Sequence, residues 1–353
     1  MSVLSIGKRR LFVYGLTFVF VSGLVATTRL AGQGGGNAFV DHSDNGETLH
    51  VLPPAASVRS PRDTQPTIAP SVPGLSVYAP SYGSGNLTWH GGPQMNGAGF
   101  FAVYWNSSVA NASGKGVTSL GYTTLQAELS DFVKLFADNA DYSPSDASAD
   151  FTVVQQYGVS NNISSVPLSP VLTSLGYFVD NQPAQASISD AKLRSYLASV
   201  LDRGAVPVST QVIYGIYLPP GMKVTLQGGA SCRSFCGYHG NFAYNGKDIK
   251  YAAFPYLNCS ACMLSGLSVA DMMTIVTSHE IREAVTDPDL NAWYDGAGYE
   301  ADDKCAWHNL YQTATGSFWV QPEFSNGGTV TASGFTATYP QLSPTAGACV
   351  VAR

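Results

Sequence analysis

Ser268 to Asp287 reads S-V-A-D-M-M-T-I-V-T-S-H-E-I-R-E-A-V-T-D, and the reading of the fold starts there. Ser268 with Asp271 three residues on is a variant of the capping box that opens a helix. Val269, Met272, Met273, Ile275 and Val276 supply a buried first half. Pro288 disfavours helix at Asp287 and so ends the element there. The second half carries His279-Glu280-Ile281-Arg282-Glu283, an H-E-x-x-E pattern one residue away from the H-E-x-x-H of zinc metallopeptidases. Positions i and i+4 share a helix face, so His279 and Glu283 are placed to hold one metal ion. A carboxylate oxygen is a competent zinc ligand in place of the second histidine. Glu280 then stands beside the ion, where a general base takes a proton from coordinated water.

Composition does not account for the motif. With six His and six Glu in 353 residues, random placement gives only about 0.002 occurrences, a low false-positive rate for so short a pattern. The competing reading is a helix end with solvated charges. Arg282 counts toward it, because the middle positions of such motifs are usually uncharged.

The flanking elements suggest a layered α/β core with this helix late in the chain, a zincin-like arrangement stabilised by disulfides. Phe100–Trp105 reads as a buried strand. Leu125, Leu129, Phe132, Val133 and Phe136 fall on one helical face. Phe151–Tyr157 is expected to be a second strand, and a helix follows Ser189 until Gly204 stops it. Thr210–Leu218 is a third strand. The folded domain is expected over 84–353. Residues 32–83, with a glycine run and repeated proline, read as a linker or pro-segment that cannot offset its own ordering entropy.

After the helix, Asp287 to Cys305 concentrates carboxylates in a chain of which only 12% is charged. Glu300, Asp302 or Asp303 can fold back as a third zinc ligand, and Asp287 is a further candidate. The same loop is a candidate Ca²⁺ site. Asp287, Asp289, Asn291 and Asp295 have partial EF-hand spacing, but Ala292 stands where glycine is required and Gly298 where the last ligand belongs. His90, His239 and His308 are outside candidates beside their ordinary reading as hydrogen-bonded structural histidines.

Lys8, Arg9 and Arg10 precede an apolar run from Leu11 to Ala26, then small residues to Ala31. That is the layout of a secretory signal over 1–31. The run, about 16 residues, is short for a spanning helix, which needs about 20; an uncleaved anchor is the rival reading. Six cysteines in an exported chain imply disulfides whose pairing spacing alone leaves open. A four-thiolate zinc site from Cys232, Cys236, Cys259 and Cys262 is the alternative. The net charge of −6 gives no nucleic-acid footprint, which calls for a basic patch. No G-x-S-x-G elbow supports a serine hydrolase.

Three blocks resemble the phosphate-induced, or EXORDIUM, protein family: G-N-L-T-W-H-G-G-P at Gly85 to Pro93, F-C-G-Y-H at Phe235 to His239, and S-H-E-I-R-E-A-V-T-D-P-D-L-N-A-W-Y at Ser278 to Tyr294. E-A-D-D-K-C at Glu300 to Cys305 is a looser match. The resemblance implies a secreted protein, in plants a cell-wall protein linked to growth. By position it points to His279, Glu280, Glu283, Glu300 and Asp303. Asp287 stands where plant members tend to have asparagine, and the chain looks like a bacterial or fungal-type relative, so the plant growth role does not transfer. Two functions follow as expectations. One is a secreted zinc-dependent hydrolase, most simply a peptidase acting on extracellular protein or peptide. Its metal would sit on His279, Glu283 and Glu300 or Asp303, with Glu280 as base. The other is a non-catalytic extracellular module binding a cell-wall polymer, with a structural metal site.

Overall fold

The computed structural model describes residues 37–58, 66–71, 74–114, 121–136, 153–158, 171–332 and 335–352. The expected signal segment over 1–31 lies outside them. Among the described residues no helix is long and apolar enough to cross a membrane.

The core is a seven-stranded mixed sheet. In chain order its strands are β1 (Val40–His42), β2 (Thr48–Leu52), β3 (Ala98–Tyr104), β4 (Leu172–Val179), β5 (Val212–Tyr217), β6 (Gly237–Tyr244) and β7 (Lys247–Phe254). Across the sheet they run β1-β2-β6-β7-β5-β3-β4. The half β7-β5-β3-β4 is parallel; β6 is antiparallel to β7, β2 to β6 and β1 to β2. β3 and β5 are buried along their whole length and carry no charged residue, because both their faces are covered. On β3, Phe100, Ala102 and Tyr104 face one core and Phe101 and Val103 the other. Helices α1 (Leu125–Phe136) and α3 (Val269–Thr286) belong to the first face, and α2 (Asp190–Asp202) to the second. The architecture is thus α/β in layers.

α3 is capped as expected: Ser268 Oγ accepts from Asp271 N at 3.1 Å, and the Asp271 carboxylate accepts from Ser268 N at 2.8 Å. Every residue from Ala270 to Thr286 is buried. Gly237 lets the helix lie close to β6, since a Cβ there would sit 2.4 Å from Val276 Cγ1. α2 ends before Gly204, whose φ of +64° suits glycine.

All six cysteines are paired, as Cys232–Cys259, Cys236–Cys262 and Cys305–Cys349. The pairing removes the four-thiolate zinc alternative. Two bridges tie the entry of β6 to the run-in of α3, and the third ties the acidic loop to the last strand (Ala348–Ala352).

Two expectations are corrected. Val153–Tyr157, the described part of the expected strand Phe151–Tyr157, is not a strand of the sheet. It is a 3₁₀ turn, and the strand beside β3 is Leu172–Val179. The turn is held through its polar residues: Asn326 N donates to Gln156 Oε1 at 2.7 Å and Tyr339 Oη to Gln155 Oε1 at 2.8 Å. A short apolar run does not by itself distinguish strand from other buried backbone. The folded unit also starts earlier than 84. Residues 32–83, expected as linker, supply β1 and β2, and Leu75–Tyr78 pairs with the last strand. Phe39, Leu49, Val51 and Leu52 are core residues, so this part of the segment buries enough apolar surface to be ordered.

Candidate metal centre

Period-two alternation sets the positions of two strand histidines. On β2, Leu49 and Val51 face the α2 side, and Leu52 faces the α3 side; His50, between Leu49 and Val51, shares the face of Leu52. His239 on β6 pairs directly with His50 across the antiparallel ladder, and the rings lie 6.0 Å apart. α3 packs on this face and brings His279, Glu280 and Glu283. The loop after α3 folds back over it with Glu300 and Asp303.

The donor atoms converge. His279 Nε2 lies 3.0 Å from Glu283 Oε2 and 3.8 Å from Asp303 Oδ1. His50 Nδ1 lies 3.0 Å from Glu300 Oε2 and 3.8 Å from Asp303 Oδ2. His239 Nδ1 is 3.2 Å from Glu280 Oε2 and 3.8 Å from Glu283 Oε2, and its Nε2 is 3.7 Å from Glu300 Oε2. All are buried, with His50 the most exposed at 6%. Yet His50 Nδ1, His239 Nε2, His279 Nε2, Glu280 Oε1, Glu283 Oε2, both Glu300 oxygens and Asp303 Oδ1 have no hydrogen-bond partner among the described residues. Some of these atoms are close enough for hydrogen bonds but misaligned for them. Ligands held about 2.1 Å from a tetrahedral ion stand about 3.4 Å from one another, which is the spacing seen.

Backbone contacts aim the carboxylates. Asp303 N donates to Glu283 Oε1 at 3.0 Å, leaving Oε2 to face the centre. Glu300 N donates to Asp303 Oδ2 at 3.0 Å. Arg282, which looked out of place in the motif, is fully buried on another face of α3. Its Nε donates to Asp302 Oδ2 at 2.8 Å and its Nη2 to Gln321 O at 2.8 Å, which clamps the returning loop to the helix. Gln321 Nε2 lies 3.0 Å from His279 Nδ1 and donates to Asp302 O at 2.9 Å. An amide nitrogen facing Nδ1 suits the tautomer that carries its proton on Nε2. A metal at Nε2 requires that proton to move to Nδ1 and the Gln321 carbonyl, otherwise unpartnered, to turn toward it.

Burial separates the protonation states. It pushes Glu280, Glu300 and Asp303 well above the usual carboxylate range, reinforced by the neighbouring Glu283. Burial acts on Glu283 in the same sense, but the surrounding imidazoles, His279 foremost, hold it down to about 2. Burial lowers His50 to about 4 and His239 to about 3, so both rings keep free lone pairs at neutral pH. Four carboxyls and three imidazoles fit a divalent cation that accepts nitrogen and oxygen ligands.

The four expected ligands, His279, Glu283, Glu300 and Asp303, and the expected base Glu280 are therefore brought together. His239, an outside candidate, joins them. His50 was missed by the sequence reading; its signal is the short apolar run L-H-V-L inside a proline-rich stretch. Asp287 caps α3, accepting from Asn291 N and Ala292 N at 2.6 Å each, and Asp302 belongs to Arg282. In the expected Ca²⁺ loop, Asp289 pairs with Lys250 and Asp295 with Lys304, so these two carboxylates are engaged with lysine. His308 lies 3.4 Å from the Tyr82 hydroxyl, and His90 stacks on Tyr294 at 3.6 Å. That stack joins two of the quoted sequence blocks, since Thr88–Trp89 pairs with Trp293–Tyr294.

No family model, no curated protein and no solved structure matches this chain. The resemblance to phosphate-induced proteins rests on the quoted blocks alone.

Proposed function

We propose that the chain is a secreted metal-dependent hydrolase, with a peptidase acting on extracellular protein or peptide as the simplest form. The observation that supports it is the convergence of buried, unpartnered donors from the H-E-x-x-E helix, the returning loop and two strands. The helix follows the antiparallel β6-β7 pair and lies beneath the sheet, in keeping with a zincin-like layering. His279, Glu283 and Asp303 would hold a zinc-type ion. When bound, such an ion polarises a carbonyl and makes coordinated water acidic near neutrality. Glu280 is the base. Its Oε2 is held by His239 Nδ1 at 3.2 Å, and its Oε1 is unpartnered among the described residues. Burial raises its pKa in the metal-free site; beside a bound cation the ionised form would be favoured, which can take a proton from water and then hand it to a leaving amine. Three disulfides suit an oxidising compartment.

The test is Glu280→Gln. The variant keeps its metal but loses hydrolysis of an unstructured protein substrate; unchanged turnover sinks the mechanism.

One observation favours a second reading, a non-catalytic extracellular module with a structural metal. His279, Glu280, Glu283, Glu300 and Asp303 are at most 1% exposed, so a polypeptide reaches them only if covering structure moves aside. A cell-wall-polymer face built of aromatics is not evident, because among the described Trp and Tyr residues Tyr177 alone is an exposed large hydrophobic. This reading predicts that His279→Ala lowers thermal stability and that wild type shows no hydrolysis under any activation.

A further inference from the structure

We infer that the centre holds two divalent cations, bridged by the Asp303 carboxylate, with His50 as a ligand of the second. The inference deepens the metal reading above and rests on it. Its first support is geometric. His279 Nε2 and Glu283 Oε2 approach Asp303 from the Oδ1 side, whereas His50 Nδ1 and Glu300 Oε2 approach it from the Oδ2 side. Each trio keeps its donor atoms within 4.8 Å of one another, and Asp303 is the residue these two trios share. A carboxylate that gives one oxygen to each of two ions is the usual bridge of centres whose metals lie about 3.5–4 Å apart.

His239 supplies the second support. Its Nε2 stands 3.7 Å from Glu300 Oε2 and its Nδ1 points to Glu280 and Glu283, so the ring lies between the two trios. His50 Nδ1, His239 Nε2 and both Glu300 oxygens are buried and lack hydrogen-bond partners among the described residues. These atoms lie on the His50 side, and a single ion on His279, Glu283 and Asp303 leaves them unserved. Asp303 Oδ2 accepts the Glu300 N–H and still has its second lone pair.

Charge gives the third. Glu280, Glu283, Glu300 and Asp303 carry four negative charges when ionised. One divalent ion matches two of these charges, so the other two carboxyls either stay protonated or remain as costly buried charge. Two divalent ions neutralise all four. The donors are imidazole and carboxylate, with every cysteine in a disulfide, so the ligand class is a borderline or hard divalent metal such as zinc or manganese.

The test uses the full chain, loaded with zinc or manganese and dialysed exhaustively. Mass-spectrometric metal content should give two ions per chain in wild type and one in His50→Ala. Electron paramagnetic resonance of the manganese-loaded wild type should show an exchange-coupled pair. This readout needs no variant, so the inference stays testable if His50→Ala does not fold. One ion per chain with an uncoupled manganese signal in wild type overturns the second site and leaves the single-metal reading standing. No retained metal in wild type overturns both.

Discussion

The metal-free protein should lose stability as the pH rises above about 6.5, and bound metal should remove most of that loss. Without a cation, Glu280, Glu300 and Asp303 have pKa values raised by burial well above their ordinary 4.5, 4.5 and 3.8. The folded state then holds protons that the unfolded chain has released. Their contribution is complete below the unfolded values and is lost as the pH climbs through the folded ones. His50 and His239 act in the opposite sense. Their folded values, about 4 and about 3, lie below 6.5, so their contribution grows with pH and is complete once the unfolded imidazoles are neutral. Glu283, held down to about 2, has made its contribution above 4.5. Above about pH 6.5 the raised carboxyls therefore dominate, together with Asp302, raised by burial to about 7. Each proton still held by the fold costs about 1.4 kcal/mol of stability per pH unit. Bound metal displaces those protons and binds more tightly as its ligands deprotonate. The assay is urea unfolding followed by tryptophan fluorescence at pH 6.5, 7.5 and 8.5, with and without chelator and with the disulfides intact. The midpoint should fall much more steeply with pH in the chelated samples, because metal does not displace the proton on Asp302. Parallel pH profiles, or a metal-free protein that gains stability over this range, refute the reasoning.

Two further substitutions probe the scaffold. Arg282→Leu leaves Asp302 and Glu323 buried beside an apolar side chain and should cost about 3–5 kcal/mol in urea unfolding, as breaking a buried pair does; a cost below about 1 kcal/mol would show that the clamp is not structural. Gly237→Ala places a Cβ 2.4 Å from Val276 Cγ1 and 2.9 Å from Glu280 Oε1. It should cost about 1–3 kcal/mol and speed metal release to a chelator, and unaltered release would contradict the close fit of α3 on β6.

The parts legible in the sequence were those with local rules. α3 announced itself through Ser268, Asp271, a continuous buried run and Pro288, and the i, i+4 spacing placed His279 and Glu283 on one face. β3 and β5 were legible because buried central strands read as apolar runs bounded by turn residues. What stayed hidden depends on partners far along the chain. Nothing near Thr48–Leu52 reveals that β6 offers an edge to pair with, so His50 read as part of a linker. Arg282 looked foreign to a metal motif because sequence spacing does not show Asp302 and Gln321 O waiting on another side of the helix. Phe151–Tyr157 failed for a related reason, since its glutamines are bonded by residues near the end of the chain. Glu300 and Asp303 were legible as acidic residues in a charge-poor chain, but the position of Asp303 between two sides of one centre was not.

The central claim is that this cluster is a metal centre. The most direct measurement is metal content by mass spectrometry on the purified, dialysed protein, wild type beside Glu283→Ala. The account predicts tightly held divalent metal in wild type and its loss from His279, Glu283 and Asp303 in the variant. Absence of metal from both proteins, even after zinc is supplied, would contradict it and leave the cluster a buried hydrogen-bonding network.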